Sequence, residues 1–97
     1  MNIQKLMRQA QQIQERVQAE KSEIVVEASA GGGMVTVRMS GHKQLVGVAI
    51  DPEVVDPEDP AMLADLVLAA VNEAGRKVDE ALQSKLGGMA GAPGLLG

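Results

Sequence analysis

Apolar side chains return every third or fourth position at the start of the chain. Ile3, Leu6, Ala10, Ile13, Val17 and Ile24 form the run, and Glu20 stands at the one position that breaks it. That spacing keeps them on a narrow stripe of one helix, the pattern of a helix–helix seam. The segment NIQKLMRQAQQIQERVQAEKSE contains neither Gly nor Pro and is rich in Gln, Lys, Arg, Glu and Ala, which suits a helix. The period then drops to two. IVVEA is β-branched and apolar; VTVRM sets Val35, Val37 and Met39 against Thr36 and Arg38; LVGVAI sets Val46, Val48 and Ile50 against Leu45, Gly47 and Ala49. The turn segments SAGGG and SGHKQ separate the three, which predicts an antiparallel meander of two hairpins.

DPEVVDPEDP is an acidic, turn-rich connector whose prolines hold the residues before them extended. Asp59-Pro60 reads as a helix start, with Asp as N-cap and Pro at the first helical position. From there Leu63, Leu66, Val67, Ala70, Val71, Ala74, Val78, Ala81 and Leu82 share one face, while Asp65, Asn72, Arg76, Asp79 and Gln83 occupy the other. Gly75 in mid-helix costs up to about 1 kcal/mol against Ala and suggests close approach of another backbone. Gly87 and Gly88 are expected to end this helix, leaving residues 89–97 as a flexible Gly-rich tail. The order is α-β-β-β-α: a single α+β domain over residues 1–88 with a three-stranded antiparallel sheet and two long helices.

A core built without Phe, Tyr, Trp or Cys rests on Val, Leu, Ile, Met and Ala. Missing aromatic rings remove the usual platform for stacking single-stranded bases. Missing cysteines exclude disulfides, thiolate metal sites and thiol nucleophiles, and fit a reducing cytoplasm. No apolar run approaches the length of a membrane span. Gly31, Gly32 and Gly33 precede a strand rather than a helix and lack a following Lys-Ser or Lys-Thr, so they read as a turn and not as a phosphate cradle. His42, the single histidine, sits in a turn without a metal or catalytic partner. The acids Asp51, Glu53, Asp56, Glu58 and Asp59 are interrupted by prolines and lack calcium-loop spacing. Serines 22, 29, 40 and 84 have no nucleophile context. The reading is of a protein that is not an enzyme and needs no cofactor, metal or small-molecule substrate.

The net charge is −4, from nine Lys and Arg against thirteen Asp and Glu, which taken whole opposes nucleic-acid binding. The distribution reverses the picture locally. Lys5, Arg8, Gln12 and Arg16 form a stripe of the first helix well away from the apolar one, and the first sixteen residues hold three cations against Glu15 alone, a balance of +2. A chain this short, with two amphipathic helices and one small sheet, leaves apolar surface that a twofold dimer would cover.

LMRQAQQIQERVQ, SAGGGMVTVRMSG and VAIDPEVVDPEDPAMLADLVLAAVNEAGRKVDE together resemble the YbaB/EbfC family of bacterial nucleoid-associated proteins, over roughly residues 3 to 88. The resemblance implies a tight homodimer of α-β-β-β-α protomers whose sheets join at the centre and whose helical arms project like tweezers. It implies binding to double-stranded DNA and alteration of its conformation, in nucleoid organisation or gene regulation, within the cytoplasm and without a membrane. Family contacts to DNA are attributed to helices, which points to Lys5, Arg8, Gln12 and Arg16 on the first helix and to Arg76 and Lys77 on the last. The alternative is a protein-interaction dimer in which DNA is incidental.

Overall fold

A computed structural model describes residues 2–90. It places α1 at Ile3–Glu23, β1 at Val25–Ala30, β2 at Val35–Ser40, β3 at Leu45–Ile50, a short 3-10 turn at Pro52–Val54 and α2 at Pro60–Ala90. The sheet order is β1-β2-β3, antiparallel throughout, so the predicted meander is the observed one. Asp59 caps α2 as its sequence implies: its Oδ1 accepts from the Met62 amide at 3.2 Å.

α2 differs from expectation at its far end. The helix runs through Gly87 and Gly88 to Ala90 instead of stopping there. Glycine lowers helix propensity by about 1 kcal/mol per residue but does not end a helix unless the backbone turns left-handed and is capped, and a long preceding helix propagates through it. Residues 89 and 90 of the expected tail therefore belong to the helix, and the rest of it, residues 91–97, lies outside the described residues.

The core lies between α2 and one face of the sheet. Ala70, Ala74 and Val78 of α2 are buried against Ala28 of β1 and Val35, Val37 and Met39 of β2, and Val54 closes one end. A helix about 10 Å across spans roughly two strands set about 4.8 Å apart. α2 accordingly covers β1 and β2 and barely reaches β3. β3 keeps its register, with Val48 opposite Val37 and Ile50 opposite Val35, but its inward face has nothing above it. Leu45, Val46, Val48 and Ile50 remain 45%, 56%, 52% and 40% exposed. A bulge between Arg38 and Met39 also shifts the pairing so that Met39 faces Leu45.

The triple glycine is a turn. Gly31, Gly32 and Gly33 take φ of 65°, 68° and 92°, all left-handed, and a Cβ on Gly31 would sit 2.8 Å from Leu66 Cδ2. At the second hairpin the left-handed position falls on Lys43, at φ 61°. The Lys43 amide closes that turn onto the Ser40 carbonyl at 2.8 Å.

α1 stands apart from this body. None of its residues is buried, and the molecule measures 67 × 25 × 18 Å along its principal axes. Asn2 caps it, with Oδ1 accepting from the Lys5 amide at 3.2 Å. At its other end Ile24 turns extended and is buried, and its carbonyl accepts from the Gly41 amide at 3.0 Å. The contact is close: a Cβ on Gly41 would lie 2.3 Å from the Lys21 carbonyl oxygen.

Candidate nucleic-acid interface

A helix of 21 residues with no buried side chain presents every position to solvent. On α1 the Lys5, Arg8, Gln12 and Arg16 side chains are all exposed. At 1.5 Å per residue the stripe from Lys5 to Arg16 extends about 16 Å along the arm. Gln9, Gln12, Ile13, Glu15 and Arg16 line one shallow groove on the arm, and Gln4, Met7, Arg8, Ala10, Gln11 and Gln14 line another. Amides therefore flank the cations on both sides, each able to donate and accept hydrogen bonds.

The nine basic side chains divide by location. Lys5, Arg8 and Arg16 on the arm make no ion pair among the described residues, nor do Lys21 and Arg38. Those on the body are largely occupied. Lys43 Nζ lies 2.9 Å from Asp79 Oδ1. Arg76 is held between Glu73 and Glu80 on its own helix. Its hydrogen bond pulls the Glu73 carboxyl below the ordinary value of 4.5, and the two acids raise the guanidinium in turn. Lys77 Nζ donates to the Glu27 carbonyl of β1 at 2.8 Å. Lys85 Nζ lies 3.3 Å from Glu20 Oε2 and 3.4 Å from Glu23 Oε2.

Of the six residues singled out from the sequence, four thus share one exposed stripe of α1. Arg76 and Lys77 stand on the body, turned to intramolecular partners, and do not join that stripe. Lys77 has a second consequence: it sets a cation against an edge strand of the sheet, a common device for blunting such edges. β3, the opposite edge, contains no charged residue at all.

The joint between arm and body was not legible in the sequence. His42 belongs to it, with Nε2 3.3 Å from Ser22 Oγ near the end of α1. Glu20, Glu23 and Lys85 also belong to it. Glu20 and Lys85 are 65 positions apart, and no local pattern pairs them.

Comparison with known proteins identifies the family and the fold. The model of the YbaB/EbfC DNA-binding family matches residues 1–93. A nucleoid-associated protein of Koribacter versatilis is 53% identical, the match covering 99% of this chain and 95% of the relative. One from Acetivibrio thermocellus is 54% identical, covering 97% of this chain and 89% of the relative. Among solved structures, a crystal structure of a Helicobacter pylori protein superposes with a TM-score of 0.68 at 23% identity, over 87% of this chain and 98% of the other. At that identity it speaks for the fold alone.

Proposed function

The chain belongs to the YbaB/EbfC DNA-binding family, and from that membership we propose that it is a nucleoid DNA-binding protein acting as a homodimer. In this reading two basic helical arms hold duplex DNA with little preference for base sequence and alter its conformation. Its relatives' names and its family are those of DNA-binding, nucleoid-associated proteins rather than of catalysts. The cytoplasm, at the nucleoid, is the corresponding location.

The observation that carries the reading is where the free cations lie. Three of them line the exposed arm, while Lys43, Arg76 and Lys85 on the body are held by carboxylates. Each Lys or Arg that meets a phosphate releases a condensed counterion, at about −0.9 in the slope of log K against log salt. Three cations per arm, doubled in a dimer, give a slope of up to about −5 by the same rule. Glutamine amides add hydrogen bonds to phosphate and sugar, which position the protein without reading bases. No Phe, Tyr or Trp ring is available to stack on an unpaired base, and the one imidazole, His42, lies at the joint and not on the stripe, so the intact duplex suits this surface better than a single strand.

The second arm comes from a second copy joined through β3. An exposed, charge-free, apolar edge strand is a template for pairing, and an identical β3 is its best complement. Antiparallel pairing about a twofold axis extends the sheet to six strands and sets Val48 and Ile50 of both copies beside one another in one apolar strip. β1 is a poorer candidate, because α2 packs on it and Lys77 guards it.

The exposed Ile3, Leu6 and Ile13 on α1 favour a second reading in which the arms hold another protein. Binding of the wild type and of the Lys5→Ala/Arg8→Ala/Arg16→Ala variant to duplex DNA across a salt series separates the two. The variant is expected to lose most of the affinity and most of the salt slope. Equal curves for the two proteins remove the arms from DNA binding. A partner that survives nuclease treatment then supports the protein-interaction reading.

A further inference from the structure

The direction of the arm is set at one small joint. α1 meets α2 and β2 only sparingly, and no side chain of the helix is buried to anchor it. Two ties hold it to the β2–β3 hairpin: the Gly41 amide on the Ile24 carbonyl, at 3.0 Å, and Ser22 Oγ beside His42 Nε2, at 3.3 Å. Both run to the same hairpin. An arm held only by the buried Ile24 at its root and by the hairpin can pivot there, and a second attachment on α2 restricts that freedom.

Lys85 supplies the second attachment. Its Nζ reaches Glu20 Oε2 at 3.3 Å and Glu23 Oε2 at 3.4 Å, and these are the ionic ties between α1 and α2 among the described residues. The two carboxylates are three positions apart on α1, so one ammonium spans a full turn of the arm. The hydrogen bond to Glu20, and then that to Glu23, raises the Lys85 pKa above its ordinary value of 10.5, so the cation is present throughout the neutral range. This arrangement also accounts for Glu20, the residue that interrupts the apolar seam of α1.

We propose that Lys85 is a positioning residue for the arm: by bridging Glu20 and Glu23 it fixes the angle at which α1 leaves the body, and so where the basic stripe is presented. The leverage is large. A helix of 21 residues is about 30 Å long at 1.5 Å per residue, so a pivot of about 10° at the root carries the tip about 5 Å. That displacement is enough to take a cation out of contact with a phosphate. The effect on angle needs no DNA; the effect on DNA affinity rests on the duplex-binding reading above.

The chain has no cysteine, so spin labels can be placed cleanly at Gln4→Cys on the arm and Asn72→Cys on α2. Labelled chains diluted into unlabelled ones report the distance within one protomer. Lys85→Ala is expected to broaden or shift the narrow distribution of the wild type. Lys85→Arg is expected to retain it, and Glu20→Gln/Glu23→Gln, with the lysine intact, to reproduce the Ala result. Far-ultraviolet circular dichroism checks that each variant is folded. An unchanged distribution in Lys85→Ala, or in the double Gln variant should the Ala variant fail to fold, overturns the proposal. On DNA, Lys85→Ala is expected to weaken binding about twofold to fivefold, the range of an exposed ion pair, with the salt slope unaltered. A slope reduced by about one would make Lys85 a phosphate contact instead and overturn the positioning role. Should the wild type not bind DNA, the distance measurement still decides the matter of the arm.

Discussion

Val48→Lys tests the assembly on which a two-armed grip depends. Val48 lies near the middle of β3, faces the same side as the buried Val37, and is 52% exposed. Complete burial of a Leu, Ile or Val side chain contributes about 1.5–3 kcal/mol, so covering the exposed half of each contributes about 1 kcal/mol. Leu45, Val46, Val48 and Ile50 on two copies make eight such side chains, at most about 8 kcal/mol before new strand-to-strand hydrogen bonds. Association itself costs about 4 kcal/mol or more in lost translational and rotational freedom. The margin is therefore narrow enough for one residue to matter. Lysine at position 48 withdraws two of the eight contributions and sets two ammonium groups near the twofold axis, a loss of at least about 2 kcal/mol, or roughly 30-fold in the dimer dissociation constant. The protomer should tolerate the change, since half of the native side chain already meets water. Sedimentation equilibrium over a range of micromolar concentrations measures the constant, with circular dichroism as the check on folding. A folded variant that dimerises as tightly as the wild type would refute the β3 interface, and so would a wild type that remains monomeric throughout.

Two glycines on the body give opposite expectations. Gly41→Ala forces a methyl to within 2.3 Å of the Lys21 carbonyl oxygen, and because that obstacle is backbone the joint must shift, so a loss of about 1–3 kcal/mol is expected in chemical denaturation. Gly75→Ala meets no atom within 4 Å and removes the helix penalty of glycine, so thermal melting should rise by a few degrees for a gain of up to about 1 kcal/mol. A fall at Gly75 would show that another chain's backbone lies against it.

Local pattern made most of the fold legible. The switch from a helical period to a period of two located all three strands, and Asp59-Pro60 marked the start of α2 because a cap is a matter of adjacent residues. The apolar face of α2 is likewise a direct reading of spacing. What escaped was set by size and distance. The alternation of β3 gives its register correctly but cannot reveal that α2 is too narrow to cover a third strand. Gly87 and Gly88 carry a stop signal that the length of α2 overrides. On the candidate interface, wheel geometry was enough to place Lys5, Arg8, Gln12 and Arg16 on one stripe. It could not tell that Arg76 spends its charge on Glu73 and Glu80, or that Lys77 turns to the Glu27 carbonyl, because composition counts a cation the same whether or not it is already neutralised. The Lys85 bridge depends on two helices meeting and has no local signature.

An arm of this length also resolves the conflict between an acidic protein and a polyanionic ligand. Charges more than a screening length apart scarcely feel one another, and that length is about 8 Å at physiological ionic strength. The acidic connector from Asp51 to Asp59 precedes the start of α2, whereas the arm is rooted beside Lys85, some 25 residues or about 37 Å further along the same helix. The arm itself then carries Lys5 and Arg8 up to about 30 Å beyond its root. In the proposed reading, a duplex at the arm tips meets the local balance of +2 over the first sixteen residues, Glu15 included, several screening lengths from the acidic connector. Near the root the screening argument fails, because Glu20 and Glu23 lie on the arm itself, and there the single charge of Lys85 offsets half of their combined −2 directly. Length handles the distant acids and the bridge offsets part of the near ones; a compact molecule of the same composition would lack the first remedy.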